Sequence, residues 1–291
     1  MAVSSNQKTG FHARSNSFPS RPNPIITQLD EHLCRSRTSE GASTSSSLGG
    51  KLSSLQDLHD CVNKLLLLPL TQQAIAQENN GKWVDELLDG SLQVLDLCNT
   101  AKDALLQTKE CVYELQSILR RKGCREVGLT SEVKKYLTWR KIVNKAIHKA
   151  LKGMQNKDNF STSNGDHETT TIFNMIKEVE VVSLKELHSL LSFISGPKAK
   201  TTGWSLVSKL VHHKKVAYAD EETDINEFSK VDAALLALVD QNTSRSDKIK
   251  GVQSHLESLE LCIQDLESGL ECLFRNLIKN RVSLLNILNH Y

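Results

Sequence analysis

Two stretches of this chain combine residue types at spacings that suggest chemistry. The first is Arg14-Ser15-Asn16-Ser17-Phe18-Pro19. An arginine three residues ahead of Ser17 suits kinases that read upstream arginine. Phosphorylation there would add close to two negative charges and a set of strong acceptor oxygens. The pattern R-S-x-S-x-P, formed by Arg14, Ser15, Ser17 and Pro19, is the preferred ligand of 14-3-3 proteins. Their arginine cluster clamps the phosphate, and the proline turns the chain out of the groove. The competing reading is a chance match in a serine-rich arm.

The second stretch is residues 132–157. Lys134, Lys135, Arg140, Lys141, Lys145, Lys149, Lys152 and Lys157 stand there against the single acid Glu132. Val133, Leu137, Val143, Ile147, Leu151 and Met154 supply apolar positions, with Tyr136 and Trp139 nearby. A basic amphipathic helix of this kind can lie on an anionic membrane or enter a calmodulin groove. The plainer reading is a bundle helix whose basic face meets acidic neighbours or water.

Other chemistry has little to stand on. There is no HExxH, EF-hand loop, P-loop, GxGxxG or GxSxG, and no Cys/His cluster with finger spacing. Paired Glu-x-x-His motifs, which carry metal sites in helical bundles, are missing as well. His212 and His213 are adjacent and diverge on a helix, so with Lys214 and Lys215 they read as a solvated basic end. Asp85, Glu86, Asp89 and Asp96 read as the wet face of an amphipathic helix. The seven cysteines form no CxxC pair, and their scatter suits a reducing compartment. Cys98, Cys111 and Cys262 sit among apolar helical residues and read as small core residues. The expectation is a protein without catalytic, cofactor or metal residues.

The elements that carry these stretches follow from periodicity. In the last 40 residues, Val252, Leu256, Leu259, Ile263, Leu266, Leu270, Leu273 and Leu277 recur in steps of four and three. Asn280 interrupts the run, and Leu284, Ile287 and Tyr291 resume it. That spacing draws one seam along one long helix. Helices are expected from Lys51 to a break at Pro69, then over 82–121, 130–155, 171–195, 204–213, 224–241 and from 247 onward. The polar run 156–170 is the best internal loop. Residues 1–50 hold 22 Ser, Thr, Gly or Pro, too few apolar groups to offset ordering entropy. Within them 41–50 reads as a flexible linker, and a short helical turn or two is expected from Ile25 to Cys34, with the rest of the arm disordered. The fold class is therefore all-α: long antiparallel helices in an elongated bundle with coiled-coil-like seams (51–291), preceded by a disordered basic arm (1–50).

Charge and hydropathy narrow the setting. Charged residues are 24% of the chain and nearly cancel to +2, so no global field marks a nucleic-acid binder. No stretch approaches the ~20 apolar residues of a membrane span. The arm has no acid before Asp30, a pattern that organelle transit peptides share. The expected location is the cytoplasm, with a plastid as the alternative if the arm is a transit peptide. The oligomeric state turns on whether the terminal seam is covered within one chain or between chains.

Several motifs resemble a plant family named after BYPASS. They are His12-Ala13-Arg14-Ser15-Asn16-Ser17-Phe18-Pro19-Ser20, Leu67-Leu68-Pro69-Leu70-Thr71-Gln72-Gln73, Trp83 to Ser91 (WVDELLDGS), Leu95-Asp96-Leu97-Cys98, and the tail from Leu273 to Leu288. Asn23-Pro24 departs from the His-Pro expected in that family. The resemblance implies an all-helical plant protein with no assigned catalytic activity. It further implies a part in root and shoot development, including restraint of a mobile growth-inhibiting signal. It carries over no catalytic or ligand residues. It also implies that the arm motif belongs to the family.

Overall fold

The computed structural model describes residues 23–38, 44–77, 82–121, 126–154, 167–196, 226–239 and 245–290. All regular structure among them is helical: α1 (Pro24–Thr38), α2 (Ser45–Leu66), α3 (Pro69–Gln77), α4 (Lys82–Arg120), α5 (Glu126–Met154), α6 (His167–Ser195), α7 (Glu227–Val239) and α8 (Arg245–His290). The all-α expectation holds.

The organising element is α8, whose 46 residues rise about 70 Å at ~1.5 Å each. Every seam residue from Val252 to Leu277 is buried, as are Leu284 and Ile287. α2 and α4 make its most extensive contacts, and α7 covers part of its length. The seam is thus covered within one chain. α4 runs antiparallel to α8: Lys102 pairs with Glu271, Lys109 with Glu267, and Gln116 Nε2 donates to Glu260. These partly exposed pairs set register more than they stabilise. α2 runs parallel to α8, since Ser45 meets Cys262, Gln56 meets Gly269, and His59 meets Asn280. α6 lies parallel to α4, with Trp83 edge-on to Phe173 at 5.0 Å. The bundle therefore joins the expected antiparallel packing of α4 on α8 with parallel neighbours, α2 on α8 and α6 on α4.

Helical order also begins well before Lys51. Asn23 caps α1 through Oδ1, which accepts from the Ile25 amide at 3.0 Å. Pro24 takes the first helical position, where its missing N–H costs nothing. Leu29 and Leu33 are fully buried. α2 starts inside the Ser/Gly run read as a linker. Thr44 Oγ1 caps it by accepting from the Ser47 amide at 3.2 Å. Leu48 then extends the buried row of Leu52, Leu55 and Leu58 by one turn. A cap and one well-placed leucine outweigh the composition of 45–50. Residues 1–22 and the expected helix 204–213 lie outside the described residues, as do most of the 156–170 loop and Tyr291.

The other boundaries have local causes. Pro69 opens α3, as its fixed φ allows. Gly196, at φ 79°, ends α6 in a conformation that glycine adopts without strain. Asn226 caps α7, its Oδ1 accepting from the Ser229 amide at 2.8 Å.

Two glycines inside α8 face different surroundings. A Cβ on Gly251 would meet nothing within 4 Å, whereas one on Gly269 would stand 3.0 Å from Leu52 Cδ1. Gly251→Ala is expected to stabilise the protein by about 1 kcal/mol through helix propensity. Gly269→Ala is expected to lose that gain by pushing α2 away. Urea unfolding of both variants checks this, and equal stabilisation would mean that α2 does not pack against Gly269.

Candidate functional site

Where α2, α6 and α8 meet, three polar side chains lie inside the apolar core. His59 Nε2 is 2.8 Å from Ser183 Oγ. Asn280 Nδ2 lies 2.9 Å from the His59 carbonyl and 3.2 Å from His59 Nδ1. On paper this is a Ser-His-Asn arrangement, the constellation of nucleophilic catalysis. The hydrogen bonds run the wrong way for that chemistry. Ser183 Oγ gives its proton to the Val179 carbonyl at 2.7 Å, so His59 Nε2–H must be the donor to Ser183. The amide nitrogen of Asn280 faces the His59 carbonyl, so Nδ1 is the acceptor. A base that already carries its proton on the serine side cannot take the serine's proton. Burial also holds the His59 pKa down at about 4, which keeps the ring neutral. Ser183 has no exposed surface. The three residues are a polar bridge between helices, and they give α2, α6 and α8 one mutual register.

Beside the bridge is a cavity of about 40 Å³, lined in part by His59, Asn280, Glu180, Ser91 and Arg281. It exceeds the ~10–15 Å³ that one water needs. Arg281 Nη1 donates to the Leu88 carbonyl at 2.6 Å and to Ser91 Oγ at 2.7 Å. Glu180 packs its carboxyl against the bare Cα of Gly90: a Cβ there would fall 2.1 Å from Glu180 Oε2. Gly90 is therefore a packing requirement of α4 against α6. Glu180 Oε2 and Asn280 Oδ1 are buried without a hydrogen-bond partner among the protein atoms. Burial raises the Glu180 pKa to about 8, against the pull of Lys177 at 3.7 Å. Near neutral pH Glu180 is mostly an uncharged acid.

The residues singled out from sequence fall into three groups. Arg14, Ser15, Ser17 and Pro19 lie outside the described residues. Lys134, Lys141, Lys145, Lys149 and Lys152 are exposed along the outer face of α5, with Trp139 and Ile142 also exposed. Lys135 is partly engaged, pairing with Glu114 at 2.7 Å. Arg140 corrects the reading of a continuous basic surface, because it is buried. Its guanidinium pairs with Asp232 at 3.2 Å, donates to the Ile194 carbonyl at 3.0 Å and lies over the Phe228 ring. Tyr136 Oη donates to the same Asp232 at 3.0 Å. These contacts tie α5 to α6 and α7. Arg140 falls on the same stripe as Val133, Tyr136, Val143 and Ile147, and that spacing was the available signal.

Cysteines follow the core reading: Cys98 and Cys262 are buried and Cys111 half-buried. Burial pushes the Cys98 thiol up to about 12 and Cys262 to about 11, so neither is a thiolate at neutral pH. Among the described residues no three His, Cys, Asp or Glu side chains are placed to hold a metal ion. No described helix is long and apolar enough to cross a membrane.

Fold and site together define an all-α bundle with a closed polar bridge at its centre and a lysine-rich outer helix. The chain belongs to the Protein BPS1 family, whose sequence model matches residues 51–287. This bears out the resemblance read from the motifs, although the match leaves out the arm. No curated protein and no solved structure matches the chain.

The bridge and the buried acid make opposite contributions to stability against pH. Glu180 is protonated in both states below pH ~4.5 and only in the folded state between ~4.5 and about 8. Its contribution therefore falls as pH rises through that window, by at most ~1.4 kcal/mol per pH unit. His59 is neutral in both states above ~6.5 and protonated only in the unfolded state between 6.5 and about 4. Its contribution falls as pH falls. Glu180→Gln is expected to flatten the decline between pH 6.5 and 8 and to keep the acid limb. Urea midpoints at pH 5.5, 6.5 and 8 check it; an unchanged slope above 6.5 would rule out a buried neutral acid.

Proposed function

We propose that the protein is a non-enzymatic interaction scaffold of plant root and shoot development or signalling. In this reading a 14-3-3 protein docks on phospho-Ser17 as the switch. The observation behind it is where the polar groups go. His59, Ser183 and Asn280 bond one another inside the core, and Arg140 is held by Asp232. The strongest reactive signal left is the arm motif, which ends four residues before the Asn23 cap. A phosphate on Ser17 would meet an arginine cluster in charge-assisted bonds. The reading places the protein in the cytoplasm, and family membership supports the developmental setting. A Ser17-phosphorylated peptide spanning residues 11–24 is expected to bind a 14-3-3 protein at about micromolar Kd or better. The unphosphorylated Ser17→Ala peptide is expected not to bind. Fluorescence anisotropy measures both, and indistinguishable affinities would remove the switch.

A second reading takes the outer face of α5 as a peripheral membrane surface. It is favoured by the exposure of Lys134, Lys141, Lys145, Lys149 and Lys152 on one face beside Trp139 and Ile142. A lysine near an anionic bilayer contributes about 1 kcal/mol. Replacing Lys141, Lys145 and Lys149 by Glu should therefore weaken binding to phosphatidylserine vesicles by at least ~100-fold. Co-sedimentation with and without anionic lipid decides it, and binding indifferent to lipid charge and salt counts against this surface.

A further inference from the structure

A groove of about 610 Å³ lies between α4 and α5. Its floor is apolar and shallow. Leu97, Ala104, Val143 and Ile147 line it, and Ala146, Ala150 and Gly153 keep the α5 wall low. One rim is acidic. Asp89, Asp96 and Asp103 stand seven residues apart on α4, so they form one line along the helix. They are exposed, and the only charged group of the lining opposite them is Lys149. Leu92, also in the lining, is about half exposed at 45%. An apolar trough with an acidic edge fits an amphipathic helix that carries cations.

The chain contains such a segment. Residues 197–225 lie outside the described residues. Their sequence holds Lys198, Lys200, Lys209, Lys214 and Lys215 with no acid before Asp220. Trp204, Val207 and Val211 fall on one helical face, flanked by Leu206 and Leu210. Both ends of the segment leave from one place next to α5. Asn226 Nδ2 donates to the Phe193 carbonyl at 2.6 Å, and Arg140 Nη2 to the Ile194 carbonyl at 3.0 Å. Val143, in the groove, is three residues from Arg140, or ~4.5 Å along the helix axis. Residues 197–203 can reach ~24 Å, which covers a passage over α5, about 10 Å across. A twelve-residue helix is ~18 Å long, close to the ~15 Å between Val143 and Gly153.

We propose that the α4–α5 groove is the seat of the chain's own basic segment 204–215, with its lysines along Asp96 and Asp103 and its Val207–Val211 face on the trough. This goes beyond the phospho-arm reading and does not depend on it. The segment would cover Leu92 and set its lysines beside Asp96 and Asp103 in the same contact.

Hydrogen exchange of the full chain, read by mass spectrometry, tests it. Amides of 204–215 should exchange at least tenfold slower in the unaltered protein than in Asp96→Lys/Asp103→Lys, while α8 keeps its protection in both. Val207→Asp should release the segment by a similar factor. Carbodiimide should join Asp96 or Asp103 to Lys209, Lys214 or Lys215 within one chain, at a yield independent of protein concentration. Unprotected amides at 204–215 in the unaltered protein would overturn the proposal, as would equal protection in the charge-reversed variant. A cross-link whose yield rises with concentration would place the segment on a second copy and would overturn it as well.

Discussion

Everything in this fold is arranged around the burial of one long apolar row on α8, broken once at Asn280. That row runs for most of a helix about 70 Å long, and no single neighbour can cover it. α2 covers one flank, α4 the other, and α7 and α3 fill in toward the ends. The remaining helices attach to these: α6 rests on α4 and α2, and α5 on α4. The close contact between Gly269 and Leu52 shows how near the backbones come. A side chain at 269 would separate the two helices that do most of the covering.

Apolar rows alone leave helices free to slide by a turn. The His59–Ser183–Asn280 bridge removes that freedom, because each bond is directional and each partner sits on a different helix. Glu180 adds a steric condition, since its carboxyl fits only where α4 carries Gly90. The Arg140–Asp232–Tyr136 cluster acts similarly on α5 and α7. Polar atoms in this core give specificity more than stability, and they are oriented against proton transfer from the one buried serine in the bridge.

Much of the architecture was legible from sequence because periodicity reports the buried face of a helix. The α8 seam was read residue by residue, with the Asn280 interruption included. Periodicity carries no information on direction, so the parallel run of α2 along α8 was not legible. Composition misled at 45–50, where Thr44 and Leu48 sustain a helix that the Ser/Gly content argues against. The bridge was hidden because its bonded pairs are 124 and 221 positions apart. Only Asn280 gave a hint, as a polar residue on an apolar row. Arg140 was grouped with the surface lysines by charge. Its place on the α5 apolar stripe was the stronger indication and tells it apart from Lys141 and Lys145.

The parallel pairing of α2 with α8 has a consequence for how the protein is made. Parallel neighbours cannot fold as a hairpin, and here the two partners are separated by roughly 200 residues of chain. At ~5–20 residues per second, the leucines of α2 leave the ribosome tens of seconds before α8 exists to shield them. In that interval they depend on temporary cover from α1 and α6 or on chaperones. Premature termination anywhere before α8 would leave a sticky, half-dressed product and not a smaller working bundle.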